Sequence, residues 1–226
     1  MHYQIDKYLI KSENAALSTK QVNRVILSYI EKLPNNITAL DYGCGKCRHS
    51  KQLNTKTSKL VLIDSKVQIT RKQKIHDNEV SVLEYSSKFM NNAYAYPIEE
   101  YDFKNEKFDF VLCTNVLSAI PKSDDRKKVL SNIKQLLKPT GIALISVQYR
   151  NSYFNTYSTK EGCVRYEDGW IIKRGNSFSF YGIIFPDKLI ELCEESGLII
   201  EKIHKHDGSV YLTVKSDIDI ETKWNM

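Results

Sequence analysis

The residues with the clearest chemical meaning are two glycines and one carboxylate. Gly43 and Gly45 form a Gly-x-Gly turn directly after a short apolar run at Thr38–Tyr42, which predicts a strand. Because glycine has no Cβ, such a turn can bend tightly and let a ligand approach the backbone. A second apolar run, Leu60–Asp64, ends in a carboxylate that can accept hydrogen bonds from two ribose hydroxyls.

This arrangement is what a βαβ unit needs to hold a nucleoside. A helix is predicted after the glycine turn, over residues 46–57, and the first N–H groups of a helix lack partners within it. A Gly-x-Gly turn alone is a weak signal, because many α/β proteins have one after their first strand. The spacing between the turn and Asp64 makes nucleotide binding the favoured interpretation.

The glycine turn also contains a Cys-x-x-Cys motif. This motif allows a redox or a zinc interpretation, but the chain has no second such motif and no paired histidines to complete a metal site. We therefore predict no metal site and expect both thiols to line a tight loop. The odd number and scattered spacing of the cysteines predict reduced thiols at Cys44, Cys47, Cys113, Cys163 and Cys193.

The composition predicts one globular domain with a sizeable core, because 42% of the 226 residues are hydrophobic. No run of 18 apolar residues is present, so no membrane-spanning helix is predicted. The first residues lack the apolar core of a signal peptide. These features predict a soluble, cytoplasmic protein without a membrane partner.

A basic stretch provides a further candidate binding surface. Residues 46–74 contain nine Lys or Arg residues and one acid, Asp64, in a chain with a net charge of +6. Such a stretch can attract a phosphate backbone or an anionic substrate. It is also typical of the solvated faces of two helices, and the general richness of the chain in lysine favours this simpler interpretation.

Hydrophobic periodicity predicts the elements that position the glycine turn. A stripe at residues 16–33 predicts a helix that Pro34 ends, and a polar helix is expected near Ser65. Both 80–84 and 93–97 have the pattern of a third strand; we prefer 93–97 and leave 80–84 as a helix or an extra strand. The remaining predictions are strands at 108–114, 142–147, 198–203 and 210–214, and helices at 123–137 and from Pro186 to Gly197.

The alternation of strands and helices predicts a parallel sheet with helices on both faces. Asp207 and Gly208 form a hairpin turn signal near the end of the chain, so the last strand is expected to run antiparallel. The predicted fold is therefore an α/β, doubly wound, mostly parallel seven-stranded sheet with an antiparallel last strand.

In this order the motifs resemble those of a class I S-adenosylmethionine-dependent methyltransferase. The resemblance covers about residues 36–148 and 186–215. Dinucleotide-binding dehydrogenases share the glycine turn, but they usually complete their sheet with parallel strands. The motifs that carry the resemblance are Leu40–Gly45, Asp64, Phe108–Leu117, Leu137–Gly141 and the terminal hairpin.

The resemblance implies S-adenosylmethionine as the cofactor. Asp41 would help to hold its methionine amino group, Asp64 would bind the ribose, and residues 113–116 would line the methionine end. The end of the third strand would contact the adenine. The pattern departs from the family at Cys47, which replaces a third glycine, and at Thr140 in the Pro-Thr-Gly run. The expected cofactor-binding residues are Asp41, Tyr42, Gly43, Cys44, Gly45, Asp64, Ser65, Cys113, Thr114 and Asn115.

The resemblance divides the chain into an N-terminal helical segment, residues 1–36, and a methyltransferase domain, residues 37–226. An insertion at 149–185 contains ten of the 24 aromatic residues and is expected to cover the substrate. An aromatic wall suits a flat small molecule, a stacked nucleobase or a small satellite core. The expected substrate-binding residues are Tyr149, Trp170 and Tyr181.

The methyl acceptor stays open at this point. Amino-methylating DNA enzymes resemble one another in an Asp/Asn-Pro-Pro-aromatic run, where this chain has Thr114–Leu117. Cytosine-C5 enzymes resemble one another in a Pro-Cys nucleophile, and no proline precedes Cys113. A small-molecule acceptor is the first hypothesis, RNA or DNA is the second, and a non-catalytic binding protein is the third. The sequence identifies no catalytic base and no oligomeric state.

Overall fold

A computed structural model of the chain describes residues 2–20 and 22–217. Short 3₁₀ helices lie at Ser12–Ala15, Ile98–Glu100, Leu117–Ala119 and Phe154–Thr159. In chain order the strands and longer helices are β1 (His2–Ile5), β2 (Tyr8–Lys11), α1 (Arg24–Glu31), β3 (Ile37–Tyr42), α2 (Ser50–Asn54), β4 (Thr57–Asp64), α3 (Lys66–Thr70), β5 (Gln73–Ile75), β6 (Asn78–Val80), α4 (Val82–Phe89), β7 (Ala93–Pro97), β8 (Phe108–Thr114), α5 (Ser123–Leu136), β9 (Leu137–Gln148), β10 (Cys163–Tyr166), β11 (Gly169–Arg174), β12 (Ser177–Gly182), α6 (Pro186–Glu195), β13 (Leu198–His206) and β14 (Ser209–Ser216).

The centre of the fold is a seven-stranded sheet in the order β13-β14-β9-β8-β3-β4-β7. Strands β8, β3, β4 and β7 are parallel to their neighbours, whereas β14 runs antiparallel to both β9 and β13. The predicted α/β fold and its antiparallel last strand are therefore confirmed. The third strand lies at Ala93–Pro97, as preferred.

The central strands are apolar along their length because helices cover both faces of the sheet. Successive residues point to opposite faces, as strand geometry requires. Leu40 and Val61 belong to the core cluster on one face, and Ala39 and Leu60 belong to the cluster on the other. Both faces of the central sheet are therefore packed against a hydrophobic core. None of the helices within residues 2–20 and 22–217 is long and apolar enough to cross a membrane.

The prediction of a helical N-terminal segment is wrong for residues 2–11. Residues 2–11 form the β1–β2 hairpin, which turns at Asp6 in a left-handed conformation (φ 48°). The hairpin joins a second sheet through Ile10, which pairs with Phe178 of β12. Helix α1 begins only at Arg24, because the side chain of Asn23 accepts hydrogen bonds from the first free N–H groups.

Two other expectations are refined by the structure. The helix predicted at 46–57 is reduced to α2, because Cys47 adopts a left-handed conformation (φ 57°) that a helix cannot contain. The ambiguous run 80–84 begins α4, where Ser81 and Glu84 form a reciprocal capping box. Residues 1, 21 and 218–226, which the predicted segment and domain include, lie outside the described residues.

The insertion after β9 builds most of the second sheet, in the order β1-β2-β12-β11-β10. The two strands of its hairpin β11–β12 pack closely together. A Cβ added to Gly169 would lie only 2.3 Å from the ring of Phe180, so this position has no room for a side chain. The N-terminal hairpin thus extends the insertion by two strands. Together they form one layer beside the central sheet.

Arg126 of α5 fastens this layer to the central sheet. It is 4% exposed, and its guanidinium binds both carboxylate oxygens of Asp168, at 2.5 and 2.8 Å. Its Nε donates to the carbonyls of Leu117 and Ile120, at 3.1 and 2.8 Å. One buried cation therefore joins α5, the segment after β8 and the β10–β11 turn.

We predict that Asp168→Ala lowers the free energy of unfolding by about 3 kcal/mol, because it leaves the Arg126 charge buried without its partner. Urea unfolding measures this change. Lys128→Ala is the control, since Lys128 and Asp125 form an exposed ion pair, and it should change stability little. Equal losses in the two variants would contradict the anchoring role of Arg126.

Candidate functional site

An open cavity lies at the carboxyl ends of β3, β4 and β8. This is where open α/β sheets bind ligands. Its floor and walls come from Asp41, the turn 43–49, Asp64 and the segment 114–120 after β8. Its roof is the segment 12–17, between the N-terminal hairpin and α1.

The glycine turn is fixed to the neighbouring strand. Gly43 and Gly45 have φ values of +72° and +55°, a region that favours glycine. The N–H groups of Gly43 and Cys44 both donate to the carbonyl of Ile63, at 2.8 and 3.1 Å. A Cβ on Gly43 would lie 2.4 Å from Cγ2 of Val116, so the turn also packs tightly against the segment after β8.

Asp64 lies at the tip of β4, directly beside the turn. Its Oδ2 accepts from the N–H of Gly45 at 2.8 Å, and its Oδ1 accepts from the N–H of Ser65 at 2.7 Å. Burial raises the pKa of Asp64 above its ordinary value, although these two hydrogen bonds lower it in part. Each oxygen keeps a further lone pair for a ligand donor.

Asp41 lies at the tip of β3 and is almost completely buried. The hydroxyl of Ser50 donates to its Oδ2 at 2.6 Å. Burial raises the pKa of Asp41 to about 7, the Ser50 hydrogen bond lowers it in part, and the charge of Asp64 raises it further. A carboxyl group with this pKa changes its charge near neutral pH, so a bound cation can hold it in the ionised form.

His49 is a cavity residue that no sequence motif singled out. Its Nε2 accepts from the backbone N–H of Asn23 at 3.2 Å, so the ring proton is assigned to Nδ1. Burial and the nearby charge of Arg48 lower the pKa of His49 to about 4. The cavity wall therefore contains a neutral imidazole, with the charged side chains of Lys46 and Arg48 nearby.

The roof is connected to the turn by a chain of hydrogen bonds. Gln68 donates to the carbonyl of Gly45 at 2.6 Å, and Arg71 donates to Oε1 of Gln68 at 2.5 Å. The same Arg71 donates to the carbonyl of Glu13 in the roof at 2.8 Å. A Cβ on Gly45 would lie 3.8 Å from the methyl group of Ala16. The roof thus lies directly over the glycine turn.

The cavity brings together seven of the ten predicted cofactor-binding residues. Tyr42, Ser65 and Cys113 are not among its lining residues. Tyr42 and Cys113 point into the core on the opposite face from Asp41, and Ser65 begins α3 by accepting from the N–H of Gln68. The seven lining residues are Asp41, Gly43, Cys44, Gly45, Asp64, Thr114 and Asn115.

The three predicted substrate-binding residues lie elsewhere. Tyr181 donates to Gln148 at 2.5 Å, and Trp170 packs under the guanidinium of Arg165, 5.4 Å from its ring centroid. Tyr149 packs against the core. None of the three is among the lining residues of the cavity, and their contact with a substrate stays a prediction.

The Cys-x-x-Cys motif is part of the turn itself. Cys44 and Cys47 are buried free thiols, and the N–H of Cys47 donates to the carbonyl of Cys44 at 2.9 Å. Cys47 adopts the left-handed conformation at the position where the resemblance implies a third glycine. Within the described residues, no group of three or more His, Cys, Asp or Glu side chains is arranged to hold a metal ion.

Comparison with known proteins identifies the fold and a relative. The family model described as "Methyltransferase domain" matches residues 40–145. The chain is 37% identical over 216 residues to YmfD of Escherichia coli (strain K12), described as an uncharacterized protein, and the match covers 96% of each chain.

Solved structures with a fold similar to that of this chain include two methyltransferases. An S-adenosylmethionine-dependent methyltransferase from Clostridium acetobutylicum has a TM-score of 0.57 and 15% identity, over 90% of this chain and 94% of its own. The 1,6-didemethyltoxoflavin-N1-methyltransferase of Burkholderia thailandensis has a TM-score of 0.60 and 15% identity, over 90% and 80%. At these identities the likeness shows the fold.

We predict that Gly43→Ala destabilises the protein more than Gly175→Ala. Both glycines have positive φ, so each variant bears a backbone strain of about 1 kcal/mol. Only Gly43 has a close neighbour, since nothing lies within 4 Å of a Cβ on Gly175. Urea unfolding measures the unfolding free energy that each variant loses. Adding Val116→Ala to Gly43→Ala should remove the part of its loss that exceeds the loss in Gly175→Ala. Equal losses would contradict the close packing of the turn.

Proposed function

The chain belongs to the class I S-adenosylmethionine-dependent methyltransferases, and we propose that it transfers the methyl group of this cofactor to a small-molecule acceptor. The cofactor supplies an activated methyl group on a sulfonium sulfur, so the main task of the chain is placement. The observation that carries the proposal is the roofed cavity in which a glycine turn lies between two strand-end carboxylates.

The residues of the cavity fit the charges of the cofactor. We assign Asp64 to the ribose hydroxyls, because both its oxygens are fixed by backbone N–H groups and retain free lone pairs. We assign Asp41 to the methionine ammonium group, since a buried carboxylate gains most from a cationic partner. Lys46 and Arg48 supply the positive charge that the methionine carboxylate requires.

The wall after β8 is assigned to the methionine end and the acceptor. Asn115 has a positive φ of 58°, and its N–H donates to the carbonyl of Ser146 at 2.8 Å. Such strained residues are frequent at ligand sites, where the surrounding structure holds them in place. Thr114 supplies a hydroxyl beside it, and Val116 and Ile120 supply apolar surface. This mixture suits a ligand with both polar and apolar groups.

The roof supports a small acceptor over a nucleic acid. Segment 12–17 covers the cavity with the chain's own residues, which restricts access for a large ligand. Part of the predicted basic stretch is occupied within the protein, since Lys59 pairs with Glu106 and Lys66 pairs with Glu100. The Burkholderia thailandensis neighbour was crystallised with bound 1,6-didemethyltoxoflavin and S-adenosylhomocysteine, which is consistent with a small acceptor in this fold.

The acceptor class can be tested by label transfer. The protein is incubated with methyl-labelled S-adenosylmethionine and an Escherichia coli extract that has been separated into a small-molecule filtrate, RNA and DNA. This extract is chosen because the 37% identical relative comes from that organism. We expect label in a new compound of the filtrate. Label that nuclease releases from RNA or DNA would overturn the small-molecule assignment and favour the nucleic-acid alternative.

We predict that Asp64→Asn raises the Kd for S-adenosylhomocysteine at least about tenfold, because a hydrogen bond to a charged group contributes about 1.5–3 kcal/mol. Isothermal titration calorimetry measures this Kd. Asp109→Asn is the matched control, since Asp109 lies at the start of β8 and accepts from Thr38 and Lys138 outside the cavity. If both variants bind like the wild type, the ribose assignment is wrong.

We predict a pH dependence of cofactor affinity that comes from Asp41. Its pKa of about 7 means that cation binding below neutral pH must first remove a proton. The Kd for S-adenosylmethionine should therefore rise as pH falls from 7.5 to 5.5, towards tenfold per unit, roughly the limit for one proton. Asp41→Asn should bind more weakly and show a flatter profile. An unchanged profile in this variant would refute the role of Asp41.

The same raised pKa predicts a change in stability. The folded carboxyl binds its proton more tightly than the unfolded one, so stability falls as pH rises from the unfolded pKa near 4 to the folded pKa of about 7. Asp41→Asn removes this loss. Without cofactor, the melting temperature of Asp41→Asn minus that of the wild type should become larger as pH rises from 5 to 8. A difference that stays constant over this range would contradict the raised pKa of Asp41.

A further inference from the structure

The roof of the cavity contains a buried carboxylate that the assignments above do not use. Glu13 lines the cavity and is only 4% exposed. Its Oε1 lies 2.9 Å from Nε2 of His2. Its Oε2 is buried and has no hydrogen-bond partner among the described residues. The adjacent Arg71 does not satisfy this oxygen, because it donates to the backbone carbonyl of Glu13 instead.

A buried carboxylate oxygen without a donor is unusual. Burial alone raises the pKa of Glu13, but the hydrogen bonds from His2 and from its own N–H bring the pKa below its ordinary value. The group is therefore ionised at neutral pH. Nearly all buried polar atoms in folded proteins have a partner, and an ionised oxygen loses the most free energy when it has none. A donor on a ligand in the cavity would satisfy it.

The contacts of Glu13 and of its neighbours show which side of the cavity Glu13 lies on. Arg71, which binds its carbonyl, directly follows α3, and α3 begins beside Asp64. Ala16 of the same roof lies over Gly45, whose N–H binds Asp64. Burial is the main cause that raises the pKa of Asp64, and the negative charge of Glu13 adds to it. Glu13 thus lies over the β4 side of the cavity.

We propose that Glu13 is a second cofactor-binding carboxylate, whose Oε2 accepts a hydrogen bond from a ribose hydroxyl of S-adenosylmethionine. The proposal rests on the assignment of Asp64 to the same ribose. The sugar then lies between a carboxylate at the tip of β4 and a carboxylate in the roof. The hydrogen bond to His2 occupies Oε1, which leaves Oε2 as the oxygen available to a ligand donor. Binding the nucleoside would therefore add a direct contact between the ligand and segment 12–17.

The test measures binding of three ligands by calorimetry: S-adenosylhomocysteine and its 2′-deoxy and 3′-deoxy forms. Glu13→Gln should raise the Kd for S-adenosylhomocysteine about tenfold, whereas the control Glu100→Gln, in an exposed ion pair outside the cavity, should leave it unchanged. Removing the contacted hydroxyl should weaken binding strongly in the wild type and much less in Glu13→Gln. This loss of sensitivity is specific to a direct hydrogen bond.

Two results would overturn the proposal while the methyltransferase function stands. One is wild-type affinity in Glu13→Gln. The other is an equal weakening of all three ligands in that variant, which would indicate only a general effect of charge. If the wild type does not bind S-adenosylhomocysteine at all, the proposed cofactor site itself is wrong.

A measurement on the unaltered protein covers the case in which Glu13→Gln does not fold. Hydrogen exchange of the backbone amides in segment 12–17 is compared with and without S-adenosylhomocysteine. The proposal predicts clearly slower exchange in the complex, because the roof gains a hydrogen bond to the ligand. Unchanged exchange in this segment, together with slower exchange at the glycine turn, would overturn the role of Glu13.

Discussion

The cavity depends on the hydrogen bonds that Asp64 accepts from the N–H groups of Gly45 and Ser65. They fix the glycine turn after β3 to the tip of β4, and they begin α3 at the same point. Gln68 of α3 then binds the turn from its other side, and Arg71 continues the connection to the roof. A single carboxylate thus joins the glycine turn, the tip of β4 and the start of α3, while its remaining lone pairs stay available for a ligand.

The electrostatics of the cavity follow from this architecture. Glu13, Asp41 and Asp64 are three acids in one partly enclosed space, and burial disfavours the charge of each. At Asp41 and Asp64, whose pKa values are raised, the ionised carboxylate reduces the stability of the empty protein, whereas the lowered pKa of Glu13 has the opposite sign. The group of carboxylates becomes favourable when a ligand supplies hydroxyl donors and positive charge, and S-adenosylmethionine has both. Binding and stability are therefore opposed at Asp41, as is common in functional sites.

The predictability of each feature depends on how local its cause is. The glycine turn, Asp64 and the apolar strands follow from short runs of sequence and were predicted. Alternation along a strand also separates Asp41 from Tyr42, and Thr114 from Cys113, although the sequence analysis counted all four together. The N-terminal hairpin was missed because its β2 pairs with β12, far along the chain. Glu13 enters the cavity through such distant packing, and no local pattern marks it.

The most direct test of the account is a crystal structure of the protein with S-adenosylhomocysteine. The ribose hydroxyls should lie within hydrogen-bonding distance of the Asp64 carboxylate, with the adenosyl group over the Gly43–Gly45 turn and segment 12–17 above it. A ligand bound elsewhere on the chain, or one in this cavity that leaves Asp64 bonded only to Gly45 and Ser65, would contradict it.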